Sequence, residues 1–145
     1  MKRLLFLLAI AVLVFSADTV LACTCAPRQS ATDELKRATA VFSGKVVKIK
    51  RHKKAAGIFA SVEAVFKVER AWKGIDKKTI SVFTSSISSA CGFAFKKGLT
   101  YVVYAYGSED GKLSTSICSR TSGFEDWHED FEELGPKPQI FPDGR

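Results

Sequence analysis

Two histidines, four cysteines and no long apolar run in the body of the chain narrow what this 145-residue protein can do. His52 and His128 belong to no metal-ligand spacing such as His-Glu-x-x-His. Asp126-Trp127-His128-Glu129-Asp130 holds ligand-type side chains, but adjacent positions on a helix do not face one site, so the run reads as a solvated helix face. Cysteines engaged in disulfides leave no thiol nucleophile, and no Ser/His/Asp set assembles. The chain therefore reads as a non-enzyme with no cofactor of its own. The one sustained apolar run, residues 4–15, is too short to cross a bilayer comfortably as a helix, which excludes an expected membrane span.

That run has another reading. Lys2 and Arg3 precede it, a more polar stretch follows, and Val20-x-Ala22 places small residues where a general signal peptidase cuts. Residues 1–22 thus read as a signal peptide, the protein as secreted, and Cys23 as the first mature residue. The competing reading takes Val20-Leu21-Ala22-Cys23 as a loose lipobox, which would acylate Cys23 and give a periplasmic or membrane-anchored lipoprotein. Leu21 is large where a lipobox prefers a small side chain.

Residues 23–145 suffice for one domain with a single modest core, and nothing in them calls for more than a monomer. Formal charge is +7 for the whole chain, or +6 once Lys2, Arg3 and Asp18 are removed. Such an excess suits solubility or an acidic partner and does not by itself indicate nucleic-acid binding. Cys23, Cys25, Cys91 and Cys118 all lie in the mature part, and an even number in an exported chain argues for disulfides. A Cys23–Cys25 bond would close a very tight ring and is discounted. Both remaining pairings tie the N-terminus to two later segments, each closing a long loop worth roughly 4 kcal/mol in the chain-entropy model.

Hydrophobic patterning predicts a mainly β domain over residues 23–135. Ser30, with Asp33 three positions on, caps a short helix from about residue 31 to 38. Residues 40–50 are strand-like, with a phase slip near Gly44 that predicts a bulge or barrel corner. In residues 61–72, Val62, Ala64, Phe66 and Val68 share one face while Ser61, Glu63, Lys67 and Glu69 share the other. Residues 79–84, 99–106 and 112–118 give three further strands, the last two joined across a Gly-flanked acidic tip. Five strands with tight turns suit a small closed or partly open barrel. Ser122, with Glu125 three positions on, predicts the cap of a helix ending at Gly135-Pro136, whose Phe124, Trp127, Phe131 and Leu134 fall on one face and seal the barrel. Residues 136–145 read as a loosely held tail.

Between the first two strands, Lys50, Arg51, Lys53 and Lys54 form a basic hairpin tip. With no aromatic interleaved among them, base stacking is not indicated and no nucleic-acid partner is expected. The simplest reading is a solvated tip that blunts a strand edge.

The cysteine-framed motifs carry a resemblance. Cys23-Thr24-Cys25-Ala26-Pro27 opens the mature chain, and Val41-Phe42-Ser43-Gly44-Lys45-Val46 lies in the first strand. Phe66-Lys67-Val68-Glu69-Arg70-Ala71-Trp72-Lys73-Gly74, Ser89-Ala90-Cys91-Gly92-Phe93 and Leu113-Ser114-Thr115-Ser116-Ile117-Cys118 follow in order. Taken together, from Cys23 to about Leu134, they resemble the inhibitory domain of the tissue inhibitors of metalloproteinases, within the netrin-like group. The resemblance implies a five-stranded barrel of the oligonucleotide/oligosaccharide-binding type, with Cys23 paired to Cys91 and Cys25 to Cys118. It implies that the α-amine and carbonyl oxygen of Cys23 chelate the catalytic zinc of a target protease in trans, and that Thr24 enters the primed-side specificity pocket. Cys25, Ala26 and Pro27 would continue the contact, with Ser88, Ser89 and Ala90 filling the unprimed side. An additional disulfide and the C-terminal domain of the animal proteins are missing, and the first hairpin is shorter. The alternative is therefore a non-inhibitory netrin-like binding module, whose basic hairpin holds an acidic partner such as an anionic polysaccharide.

Overall fold

The computed structural model describes residues 23–53, 61–108, 111–123, 128–135 and 139–140. Helix α1 (Ala31–Arg37) begins where the sequence predicts: the Ser30 hydroxyl accepts the Asp33 N–H at 3.1 Å, and Lys36 pairs with Asp33 at 2.8 Å. Its C-terminal carbonyls, on Leu35 and Lys36, accept from the Lys73 ammonium at 2.9 and 2.8 Å, which places a cation at the negative end of the helix.

Five strands close into a ring. They are β1 (Ala40–His52), β2 (Ser61–Lys73), β3 (Thr79–Ser85), β4 (Thr100–Gly107) and β5 (Leu113–Ser114). β1 pairs antiparallel with both β2 and β4, and β2 with β3. β5 closes the ring by lying parallel to β3 and antiparallel to β4. The expected bulge is present, because the β1–β2 register shifts between Ser43 and Gly44. A side chain on Gly44 would put its Cβ 2.7 Å from the Lys67 carbonyl oxygen, so the close approach of the two backbones requires glycine.

β5 is much shorter than the residues 112–118 predicted. Beyond Ser114, side-chain hydroxyls take the place of the ladder: Thr115 donates to the Tyr104 carbonyl at 3.0 Å and hydrogen-bonds the Ser119 and Thr121 hydroxyls at 2.8 Å. Short polar side chains compete with strand pairing in this way.

Strand alternation separates two cores. Inside the barrel, Phe42, Phe66, Val68, Val82, Tyr101 and Val103 are buried, with Phe66 meeting the Phe42 and Phe95 rings edge-to-face at 5.4 and 5.1 Å. On the outer wall, Val41, Val102 and Tyr104 pack beneath Ala31, Leu35 and Ala38 of the α1 region and Phe131 and Leu134 of helix α2 (His128–Leu134).

The C-terminal part departs from expectation at several points. Ser122 does not cap α2; it is buried in a two-residue strand, β6 (Ser122–Gly123), paired with Tyr101 and Val102. Phe131 and Leu134 cover the outer wall rather than an end of the barrel, while Phe124 and Trp127 lie outside the described residues. Asp130, read as solvated, is buried. In the segment read as a loose tail, Gln139 and Ile140 form β7 against Ala71 and Arg70, and the rest lies outside the described residues. No helix among the described residues is long and apolar enough to cross a membrane.

Candidate functional site

The chain from Cys23 to Pro27 has no regular secondary structure and is held by its cysteines. Cys23 is bonded to Cys91 and Cys25 to Cys118, with Cα separations of 5.5 and 5.1 Å. The two bridges lie side by side, the Cys118 sulfur standing 3.9 Å from that of Cys23 and 4.0 Å from that of Cys91. Cys23, Cys25 and Cys118 sulfurs cluster tightly, but every described cysteine is oxidised, so no thiolate is present to ligate a metal. Thr24, between the two anchored positions, is exposed, as are Ala26 and Pro27.

A second segment braces this tip. Ser88–Ala90 form one 3-10 turn that ends on Cys91 in the left-handed region, φ 56°. The turn is latched by Cys91 N–H to the Ser88 carbonyl at 2.9 Å and by Gly92 N–H to the Ile87 carbonyl at 3.1 Å. A Cβ on Gly92 would sit 2.2 Å from the Ser85 carbonyl oxygen, so only glycine lets the chain fold back beside β3. Ile117 N–H donates to the Cys91 carbonyl at 3.0 Å, which joins the Cys118 segment to the same unit. Ser88 and Ser89 are exposed and Ala90 is half-buried. The structure thus brings Cys23–Pro27 and Ser88–Ala90 together through Cys91.

Two residues of this surface were not singled out from the sequence. Ile87 and Ile117 are among the exposed large aliphatics, and they flank the tip. The available signal was a lone aliphatic beside each half-cystine segment, surrounded by serine and threonine.

The arm leading away from the tip is seated by a buried ion pair. Arg120 donates through Nε to Asp130 at 2.7 Å and through Nη1 to the Gln29 carbonyl at 2.7 Å. Ala31 N–H donates to the Glu133 carboxylate. The Tyr104 phenol is buried nearby, and its pKa is pushed well up, first by burial and then by the charge of Asp130. A cavity of about 320 Å³ between the barrel wall and α2 is lined by Ser43, Arg70, Thr100 and Phe131, and a second, of about 230 Å³, lies against the tip and its arm, lined by Ala26, Pro27, Cys118 and Arg120.

At the basic hairpin, Arg51 and Lys53 are exposed and Lys54 lies outside the described residues. Lys50 is engaged: its ammonium lies 2.9 Å from Glu63. Glu63, which alternation places on the face opposite Ala64 and Phe66, is buried and also takes His52 Nε2 and the Ser81 hydroxyl at 2.8 Å. Lys50, with help from Ser81 and His52 and against the effect of burial, lowers its carboxyl from 4.5 to about 2. A carboxyl with a depressed folded pKa adds stability above its unfolded pKa and loses it as pH falls through the folded one. Stability measured by urea unfolding should therefore decline between pH 4.5 and about 2. Glu63→Gln should flatten that part of the profile; an unchanged slope would show that Glu63 is not its source.

Compared with protein-family models, residues 21–130 match the one described as Tissue inhibitor of metalloproteinase. No curated protein matches the chain. The match spans both disulfides and every strand of the ring. With most of its length under that match, the chain belongs to the tissue inhibitor of metalloproteinase family, whose members are inhibitors rather than enzymes.

Proposed function

We propose that the processed protein inhibits zinc metalloproteases through its N-terminal residue. The observation that carries this reading is the double anchoring of the tip, in which Cys23 and Cys25 are each disulfide-bonded and Thr24 stands exposed between them. Cleavage before Cys23 would give that residue a free α-amine beside its own carbonyl oxygen. Catalytic zinc keeps a position open for water or substrate, and an α-amine with a reference pKa of about 7.7 to 8.0 is neutral often enough near physiological pH to ligate it. A rigid tip loses little freedom on entering a cleft, so more of the contact energy appears as affinity. In this reading Thr24 enters the adjoining specificity pocket, Cys25, Ala26 and Pro27 continue along the cleft, and Ser88, Ser89 and Ala90 occupy its other side.

The test is inhibition of a panel of zinc metalloproteases by protein whose N-terminus has been verified by mass. Acetylating the Cys23 amine ties its lone pair into an amide without moving the backbone, and should remove inhibition. Thr24→Gly keeps the chelate and loses a pocket contact, so it should weaken inhibition by a factor that differs among proteases. Acetylated protein that inhibits as well as the free amine would end the chelation reading. The alternative, a binding module working through its basic hairpin, must draw on Arg51, Lys53 and Lys54, since Lys50 is engaged by Glu63. Its mark would be binding to an anionic polymer that falls steeply with salt.

A further inference from the structure

Four large aliphatic side chains are exposed among the described residues: Ile87 and Ile117 at the cysteine tip, Val47 at 39% and Leu99 at 51% elsewhere. The second pair shares one small region. The β1–β2 register passes from Val46 opposite Phe66 to Lys48 opposite Val65, leaving Val47 as an extra residue pushed out of the ladder. Val46 N–H donates to the Leu99 carbonyl at 2.9 Å and Gly98 N–H to the Val46 carbonyl at 2.8 Å, which seats the turn of residues 96–99 against the bulge. Leu99 N–H closes that turn on the Lys96 carbonyl, and Lys96 N–H is pinned on the Tyr101 hydroxyl at 2.9 Å. Gly98 has φ +88° and no atom within 4 Å of where a Cβ would stand, so the turn tip is open.

Lysines surround this pair. Lys45, Lys48, Lys96 and Lys97 are all exposed, and Lys45 stands directly opposite Lys67 across the ladder. We infer that the turn of residues 96–99, with the β1 bulge beside it, docks on an anionic phospholipid layer. Ammonium groups meet headgroup phosphates, each worth about 1 kcal/mol near such a surface, while aliphatic side chains enter the boundary with the acyl chains. A sulfated or carboxylated polysaccharide would use the same lysines but has no use for Val47 and Leu99. Single-stranded nucleic acid would need aromatic stacking, which neither residue supplies. The inference is independent of protease inhibition, because it uses none of the residues of the cysteine tip.

The experiment is co-sedimentation of the processed protein, shown by mass to carry no lipid at Cys23, with vesicles of phosphatidylcholine alone and of phosphatidylcholine with phosphatidylglycerol. Native protein should sediment only with the latter. Lys48→Ser/Lys97→Ser should weaken binding about thirtyfold, from two charges. Val47→Ser/Leu99→Ser leaves charge unchanged and should weaken it on the order of tenfold. Circular dichroism and urea unfolding should show both variants folded, since all four positions are on the surface. Three results would overturn the inference: no binding of native protein to phosphatidylglycerol vesicles, undiminished binding by the Val47/Leu99 variant, or tighter binding to heparin than to vesicles.

Discussion

Protein carrying one extra alanine before Cys23 should fold normally and fail to inhibit. The addition moves the amine one residue away from Cys23, replaces it with an amide that cannot ligate zinc, and puts new bulk at the innermost point of the contact. With the chelate lost, the inhibition constant should rise on the order of a thousandfold, equivalent to about 4 kcal/mol. The disulfides to Cys91 and Cys118 do not involve the amine, so circular dichroism and urea midpoint should be unchanged. Equal inhibition by native and extended proteins would refute chelation outright. Failure of both would leave the family fold serving another binding task.

Asp130→Ala should be the most damaging single substitution away from the cysteines. It leaves the Arg120 guanidinium, in a nearly buried position, without its carboxylate. Removing one partner of a buried pair typically costs about 3–5 kcal/mol, a large fraction of the roughly 5–15 kcal/mol that holds a domain folded. The same guanidinium holds the Gln29 carbonyl, so loosening it should also free the arm that carries the tip. Urea unfolding gives the first effect. The second shows in faster hydrogen exchange or proteolysis at residues 26–31 under conditions where the barrel stays folded. A midpoint within error of the native value would mean that the ion pair contributes nothing to the fold.

Much of this architecture could be read from local pattern. The Ser30 cap needs only its own neighbours, and the slip at Gly44 is visible because a bulge breaks a period of two within one strand. The disulfide partners came from the ordered set of cysteine motifs, not from spacing alone. The burial of Glu63 was not legible, because alternation tells which face a side chain takes, whereas its burial depends on Lys50, His52 and Ser81 reaching it from two other strands. Ser122 has the composition of a cap, and pairing with β4 overrode it. Asp130 looked solvated among its acidic neighbours because its partner Arg120 stands ten residues earlier and meets it only through the fold. At the tip, Thr24 and Ser88–Ala90 were named from the resemblance, while Ile87 and Ile117 became visible only once hydrogen bonds to Ile87 and Cys91 showed which loops meet.

The long reach of the two bridges also sets an order of events in the life of the molecule. Cys23 and Cys25 leave the ribosome among the earliest residues of the folded part, yet their partners lie 68 and 93 positions later. Neither native bridge can form until Cys91 and then Cys118 have arrived, whereas the two early thiols are neighbours from the start. The cysteine tip is thus the last region to mature. With four sulfurs crowded at one spot, exchange among them during oxidation requires little movement. Yield of correctly bridged protein should therefore depend on a disulfide isomerase, and its omission during oxidative refolding should leave mixed pairings among the four cysteines.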